Sequence, residues 1–460
     1  MNGDNQQKTI MECSLSYSLN SPSGKELTTG EAKVQISEAS LSVLPKFGEA
    51  LFFSLRDITE ISEGDYKVHL ALSSMEKLTL FNLGYKYEDF LRVLSKLHSE
   101  MMLKDVLMHE SLKKSGVNAE FSYFDENGKE LHKGNCEPRL YETAIVVIPE
   151  KGEIIRIPYC DVSKIRGREI IKIVRITASN TSKEEYSVTV IMEDGRKLVL
   201  SKMGREFDAF EEKLSEAINE LSLKVQSSLK ELLPTADPSI IRRAAQFMKE
   251  GKAAKRSEIE SVSPELWLEL EKKLEIAGVK AEYEFLRKLS QQEKLCIGLK
   301  RGLMGDLTGE YIWFLIPIYS TNLKEPGNVV AMEATSGEEG GKATYFFRIT
   351  SRKEYPNFKN IEDLHRQVDD FIKRMNRCML DINFRREPIY LSDEKLEEPQ
   401  YVKYKFAVRK IPALQELRQV FIGRVIHSTP EQWEKDVMDL LKFNVSIQDD
   451  KIRWEKGGGL

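Results

Sequence analysis

Ala39-Ser-Leu-Ser-Val-Leu-Pro45 returns 104 positions later as Thr143-Ala-Ile-Val-Val-Ile-Pro149. The match extends in both directions. Upstream, Gly24-Lys-Glu-Leu27 returns as Gly128-Lys-Glu-Leu131, and Gly30 as Gly134. Downstream, Gly48-Glu49 returns as Gly152-Glu153 and Asp57-Ile58 as Asp161-Val162. The spacing holds to Ile61 and Ile165, then widens by one insertion in the second copy. Tyr66 and Tyr186, Lys77-Leu78 and Lys197-Leu198, Gly84 and Gly204, and Phe90 and Phe210 keep the wider spacing. An internal repeat is the first feature to find, since missing it miscalls the fold.

Each copy reads as short strands followed by one helix. In the first, alternating or apolar runs cover Ser14–Leu19, Lys33–Ile36, Leu41–Leu44, Ala50–Leu55, Ile58–Ile61, Lys67–Leu72 and Leu78–Leu83. Turn residues separate them, and Asn127-Gly128 and Asp194-Gly195 in the second copy are hairpin dipeptides whose residues accept positive φ. The period then changes. Tyr87, Phe90, Leu91, Leu94 and Leu97 step by three and four, as do Phe207, Phe210, Leu214, Ile218 and Leu221. A strongly curved antiparallel sheet leaves an open end, which one amphipathic helix can plug.

Seven short strands capped by one helix resemble the pleckstrin-homology-like superfold, including its GRAM and bacterial PH-like branches. The pattern P-x-x-G-E, D-I/V-x-x-I, Y-x-V, K-L-x-L, G, F carries that resemblance over nearly half the chain. It implies a binding module by analogy. The fold expected is α+β: PH-like units over 1–110 and 111–225, a helical connector over 226–294, and a C-terminal α+β region over 295–460. In that region the order of sheet then helix admits a third, divergent PH-like unit. Its expected strands are Leu295–Leu299, Tyr311–Tyr319, Val329–Glu333, Thr344–Thr350 and Tyr401–Val408, with helices over Ile361–Met379, over Ile411–Ile426 and from Pro430 to Phe443.

The composition narrows the function. The chain has 460 residues, a net charge of −4, 41% apolar and 31% charged residues. Nothing global draws it to nucleic acid or anionic membrane, so such binding needs a local patch. Five cysteines and six histidines show no zinc spacing and no C-x-x-C pair, which favours free thiols in a reducing cytoplasm. The polar start, Met1-Asn-Gly-Asp-Asn-Gln-Gln7, lacks the apolar core of a signal peptide, and no run is long enough to span a bilayer. No metal or cofactor is expected.

Two basic clusters are candidate surfaces. Lys164, Arg166, Arg168, Lys172 and Arg175 lie along a β-branched run in the lengthened hairpin of the second copy. They serve either to protect a strand edge or to dock an acidic partner or a phosphate. Arg242, Arg243, Lys249, Lys252, Lys255 and Arg256 surround a helix of the connector. A helix-turn-helix reading of that region founders on Pro264-Glu-Leu-Trp-Leu-Glu-Leu-Glu271, whose three acids would face phosphates. Phosphoinositide binders of the resembled superfold cluster cations in the first hairpin. Here Lys25 and Lys129 each stand beside acids, which counts against headgroup recognition. Ser336–Thr344 fails as a P-loop, because only three residues separate Gly337 from Gly341 and Ala343 replaces the magnesium-holding hydroxyl. No catalytic motif is present. The expectation is a non-catalytic cytoplasmic scaffold that binds a protein or peptide of unknown identity, with anionic lipid as the alternative and nucleic acid as the less favoured one.

Overall fold

Both copies fold into the same seven-strand path. The computed structural model describes residues 9–445 except 107–109, 151–153, 173–183, 250, 277, 302–309, 326, 337–342, 351–353 and 383–384. In the first copy β1 (Met11–Asn20), β2 (Glu26–Ile36), β3 (Ser40–Pro45), β4 (Leu51–Ser54), β5 (Ile58–Gly64), β6 (Lys67–Leu72) and β7 (Lys77–Phe81) order as β4-β3-β2-β1-β7-β6-β5. The second copy adds a short β8 (Leu112–Lys114). It then repeats the order as β12-β11-β10-β9-β15-β14-β13, from β9 (Ala119–Phe124), β10 (Glu130–Tyr141), β11 (Ala144–Pro149), β12 (Ile155–Pro158), β13 (Val162–Lys172), β14 (Glu184–Met192) and β15 (Lys197–Ser201). The pairing is antiparallel throughout. Backbone detail repeats too: Gly84 and Gly204 both have φ of 59°, and Asn82 and Lys202 have 62° and 59°.

A helix closes each curled sheet. α1 (Tyr87–Val106) buries Phe90, Leu91 and Leu94 against Val34, Val43, Leu70 and Leu80. α2 (Phe207–Leu232) does the same with Phe210, Leu214, Ala217 and Leu221. Alternation explains the rest: every second strand residue points into these cores. α2 continues past the expected limit of its unit at 225. Its last turns, with Val225 and Leu229, enter the core beneath a third sheet.

That third sheet is built differently. Its six strands run in the order Ala254–Lys255, Cys296–Arg301, Glu310–Ile318, Val329–Ser336, Ala343–Arg348, Phe421–Ile426. This path does not repeat the order of the first two sheets, so the order of sheet then helix along the chain did not imply a third copy. Both faces are covered. Trp313, Leu315, Tyr345 and Phe347 pack under α7 (Ile361–Asp381) and α11 (Pro412–Val420). Phe314, Ile316, Phe346 and Ile297 pack on the other side against α5 (Pro264–Ile276), α6 (Lys280–Leu289) and α12 (Pro430–Val445). Gly298 lies flat against Trp313, and any Cβ there would collide with the indole.

Two expected elements change type. Tyr401–Val408 is not a strand: beyond the short α8 (Glu387–Tyr390) and α9 (Asp393–Leu396), α10 (Val402–Lys410) is helical, and its buried Tyr404 and Ala407 lead on to Ile411 at spacings of three and four. Ile411–Ile426 is not one helix: α11 ends at Val420 and Phe421–Ile426 becomes a sheet strand. The β-branched and aromatic residues of that segment fit a pleated, buried surface better than a helix. The remaining connector helices are α3 (Pro238–Phe247), which Asp237 caps by accepting from Ser239 N, and α4 (Arg256–Val262).

Candidate functional site

The second copy is gripped on three sides by the rest of the chain. On its outer face, Leu103 of α1 packs with Tyr141 and Val146, flanked by Ile148 and Ile154. Arg139 of β10 donates to Glu100 of α1 at 2.8 Å and to Glu137 at 2.9 Å. The Glu100 bond first, then Glu137, pushes the Arg139 guanidinium further toward its charged form, against the cost of burial.

At its β12 edge, Arg156 is the centre of a buried ion cluster. Its guanidinium donates to Glu110 Oε2 at 3.1 Å, to Thr143 Oγ1 at 3.1 Å, to the Leu380 carbonyl at 3.2 Å and to Asp381 Oδ1 at 3.3 Å. The Arg156 side chain is 8% exposed and Glu110 fully buried. Glu110 also accepts from Thr143 N and Thr143 Oγ1. The cluster therefore ties the segment after α1, the second sheet and the end of α7 together. Burial opposes the Arg156 charge, but Glu110 and Asp381 more than offset it. Two carboxylates share one guanidinium, and burial pushes Asp381 up to about 7. Arg377 extends the contact from α7 to Asp194 at 3.5 Å.

At the β14–β15 turn, Glu193 accepts from Lys249 Nζ at 2.7 Å and from Lys252 Nζ. Lys249 also donates to the carbonyls of Cys160 at 3.0 Å and Val162 at 3.3 Å. Burial raises the Glu193 carboxyl, and the two lysine hydrogen bonds outweigh it, leaving the group below its ordinary value.

Two of the expected surface cations, Lys249 and Lys252, are thus internal fasteners. Lys255 pairs with Asp369 of α7 at 3.0 Å, and Arg256 with Glu260 at 2.8 Å while its guanidinium sits 5.4 Å from the Trp267 ring centre. Arg242 and Arg243 remain exposed on α3. The six residues do not form one patch facing solvent. Lys164, Arg166, Arg168 and Lys172 lie on β13, an edge strand of the second sheet, which runs four residues longer than its counterpart β5 (11 against 7). Arg175 lies outside the described residues. The residues that sequence reasoning missed are Arg156, Glu110 and Asp381. The available signal was Ala144-Ile-Val-Val-Ile148, an uninterrupted apolar run, which means a strand covered on both faces.

Among the described residues, β4 at the same edge of the first copy pairs with β3 alone. Repeat spacing places Phe52 where the second copy has Arg156. Phe52 is 71% exposed on β4, and Phe47 in the turn before it is 93% exposed.

Among the described residues, the nearest approach to a nucleophile beside a base is Thr344 Oγ1, 2.9 Å from His427 Nε2, with Glu282 3.7 Å from His427 Nδ1. Thr344 is fully buried, which gives a substrate no approach to its hydroxyl. The five cysteines are all buried and unbridged, with burial raising the Cys136 thiol to about 12. No group of His, Cys, Asp or Glu among the described residues could hold a metal, and no described helix is long and apolar enough to cross a membrane. No protein-family model matches the chain, and no curated protein matches it.

Proposed function

We propose that this protein is a non-catalytic cytoplasmic docking scaffold built on two tandem PH-like units. Two sheets of identical strand order, each closed by a C-terminal helix within about 100 residues, support the PH-like reading. The observation that carries the scaffold reading is the second copy. Its face, its edge and its hairpin turn each hold a different element: α1, α7 and the Lys249–Lys252 segment. A fold that holds three elements of its own chain by side chain and edge is suited to hold another protein in the same way. The cations of β13, Lys164, Arg166, Arg168 and Lys172, are the proposed surface for an acidic protein or peptide.

The test is affinity capture by the intact chain and by a variant with Lys164, Arg166, Arg168 and Lys172 changed to Glu. The expected result is a protein retained by the first and lost by the second. Parallel binding to anionic vesicles and to duplex DNA distinguishes the rival readings. Salt-sensitive binding to either, with no protein retained, would contradict the scaffold reading.

A further inference from the structure

Three buried arginines of this chain are each paired with a carboxylate. Arg139 holds Glu100, Arg156 holds Glu110 and Asp381, and Arg418 holds Asp393 at 2.7 Å together with the carbonyls of Pro388 and Leu391. Arg424 differs. It is half-buried on the strand Phe421–Ile426, and it pairs with no carboxylate among the described residues. Its guanidinium lies 3.9 Å from the centre of the Tyr390 ring, and its Nε is buried with no acceptor. A buried charged donor without an acceptor is costly and rare, and one that persists marks a place that a water or an ion completes.

The surrounding charge decides between the two. Tyr390 of α8 is stacked on Tyr345 at 6.1 Å between ring centres, and Tyr345 is the cross-strand neighbour of Arg424. The chain arrives here from α7 as Arg385-Arg386-Glu387, all half-buried, with Glu387 opening α8. Burial pushes the Tyr345 and Tyr390 hydroxyls up, and Arg386 and Arg424 both stand close enough to hold them back. Burial likewise pushes Tyr404 up to about 12, and Arg385 opposes it. Glu387 is the carboxylate that acts on all three tyrosines. Arg385, like Arg424, forms no ion pair among the described residues. Three guanidiniums against one carboxylate leave two positive charges in excess. A water would meet the free donor and leave that excess untouched. A phosphate monoester, with a charge of about −1.5 to −2 at pH 7, meets both, and the guanidinium fork matches its oxygens two at a time. We propose that Arg385, Arg386 and Arg424, beside the stacked Tyr345 and Tyr390, form a binding site for a phosphate group on the C-terminal unit. The site is separate from the β13 surface and does not depend on the docking reading.

Calorimetric titration of the full chain with inorganic phosphate, against sodium chloride at matched ionic strength, tests this. The expected result is saturable uptake of one phosphate per chain, weakened at least about tenfold in Arg424→Gln, which removes charge-assisted hydrogen bonds. Arg385→Gln removes a cation without an ion-pair partner. It is expected to weaken uptake as well, and it serves where loss of Arg424 disturbs the Tyr390 stack. Unchanged thermal transitions in phosphate-free buffer check that both variants are folded, and Arg205→Gln, exposed on the second copy, should bind as the wild type does. Vesicles of phosphatidylcholine with and without phosphatidic acid separate the sources of the group. Pelleting with phosphatidic acid that Arg424→Gln abolishes assigns it to a lipid, and no such pelleting to a soluble molecule. A wild-type chain that takes up no phosphate beyond the chloride blank overturns the proposal. So does uptake that survives unchanged in both arginine variants.

Discussion

The two copies share a backbone path and differ in what their outer surfaces face. β3 reads Ser40-Leu-Ser-Val-Leu44 and alternates between half-buried and buried positions. Its counterpart β11 reads Ala144-Ile-Val-Val-Ile148 and is buried at all but one of those five. Position 42 is serine and position 146 is valine beneath Leu103 of α1. Position 52 is an exposed phenylalanine and position 156 a buried arginine. The inward-facing residues stayed similar because both sheets close around one helix. The outward-facing ones diverged because one sheet meets water and the other meets protein.

The largest consequence concerns Arg156. Arg156→Ala leaves Glu110 buried without its guanidinium, and an uncompensated buried charge costs about 3–5 kcal/mol. Phe52→Ala, the same position in the first copy, is expected to cost under about 0.5 kcal/mol, as surface changes do. Chemical denaturation of both variants reads the contrast directly, and equal losses would erase it.

Exchanging the outer-face residues sharpens it. Val146→Ser gives the second copy the residue of the first and buries a hydroxyl under α1. The expected loss is about 2–3 kcal/mol from lost burial and an unmet polar group. The reciprocal Ser42→Val should change stability by less than about 0.5 kcal/mol. The denaturant midpoint of each variant decides the matter.

The ion cluster also predicts a pH dependence of stability. Asp381 ordinarily titrates near 3.8 and is pushed up to about 7 in the folded protein. Between those values the folded state keeps a proton that the unfolded state has lost. This contribution is therefore fully present below the unfolded value and is lost as pH rises through about 7. The slope is at most about 1.4 kcal/mol per pH unit. Asp381→Asn should flatten the stability curve over that window. A wild-type curve with no extra slope there would contradict the assignment.

The smallest effect is at the hairpin turn. Glu193→Ala removes the acceptor shared by Lys249 and Lys252. A half-exposed pair of this kind is worth about 0.5–1 kcal/mol, and the loss should shrink in high salt. Thermal melts at two salt concentrations would show it.

Much of this was legible in the residues. The Gly24-Lys-Glu-Leu27 and Gly128-Lys-Glu-Leu131 pair, the strand runs and the Phe90 and Phe210 helices gave the two folded units, because burial inside a unit leaves a periodic trace. The uninterrupted run at 144–148 carried the fact that the second copy is covered on both faces, though not by what. Arg156, Glu110 and Asp381 lie 46 and 225 positions apart along the chain, measured from the arginine, and ion pairs at such range leave no local pattern. The cations at Lys249, Lys252 and Lys255 looked like a solvated helix face, since their partners Glu193 and Asp369 come from other elements. Tyr401–Val408 misled because its polar and apolar residues also fit a period of two.

The most direct measurement is hydrogen exchange of the full chain at low micromolar concentration, comparing 51–54 with 155–158. The two segments hold the same place in the same fold, so fold alone predicts equal protection. If the second copy is the built-in platform and the first the open one, 155–158 will exchange at least about tenfold more slowly, because opening there must also undock α7. Equal rates in the two segments would contradict that division of roles.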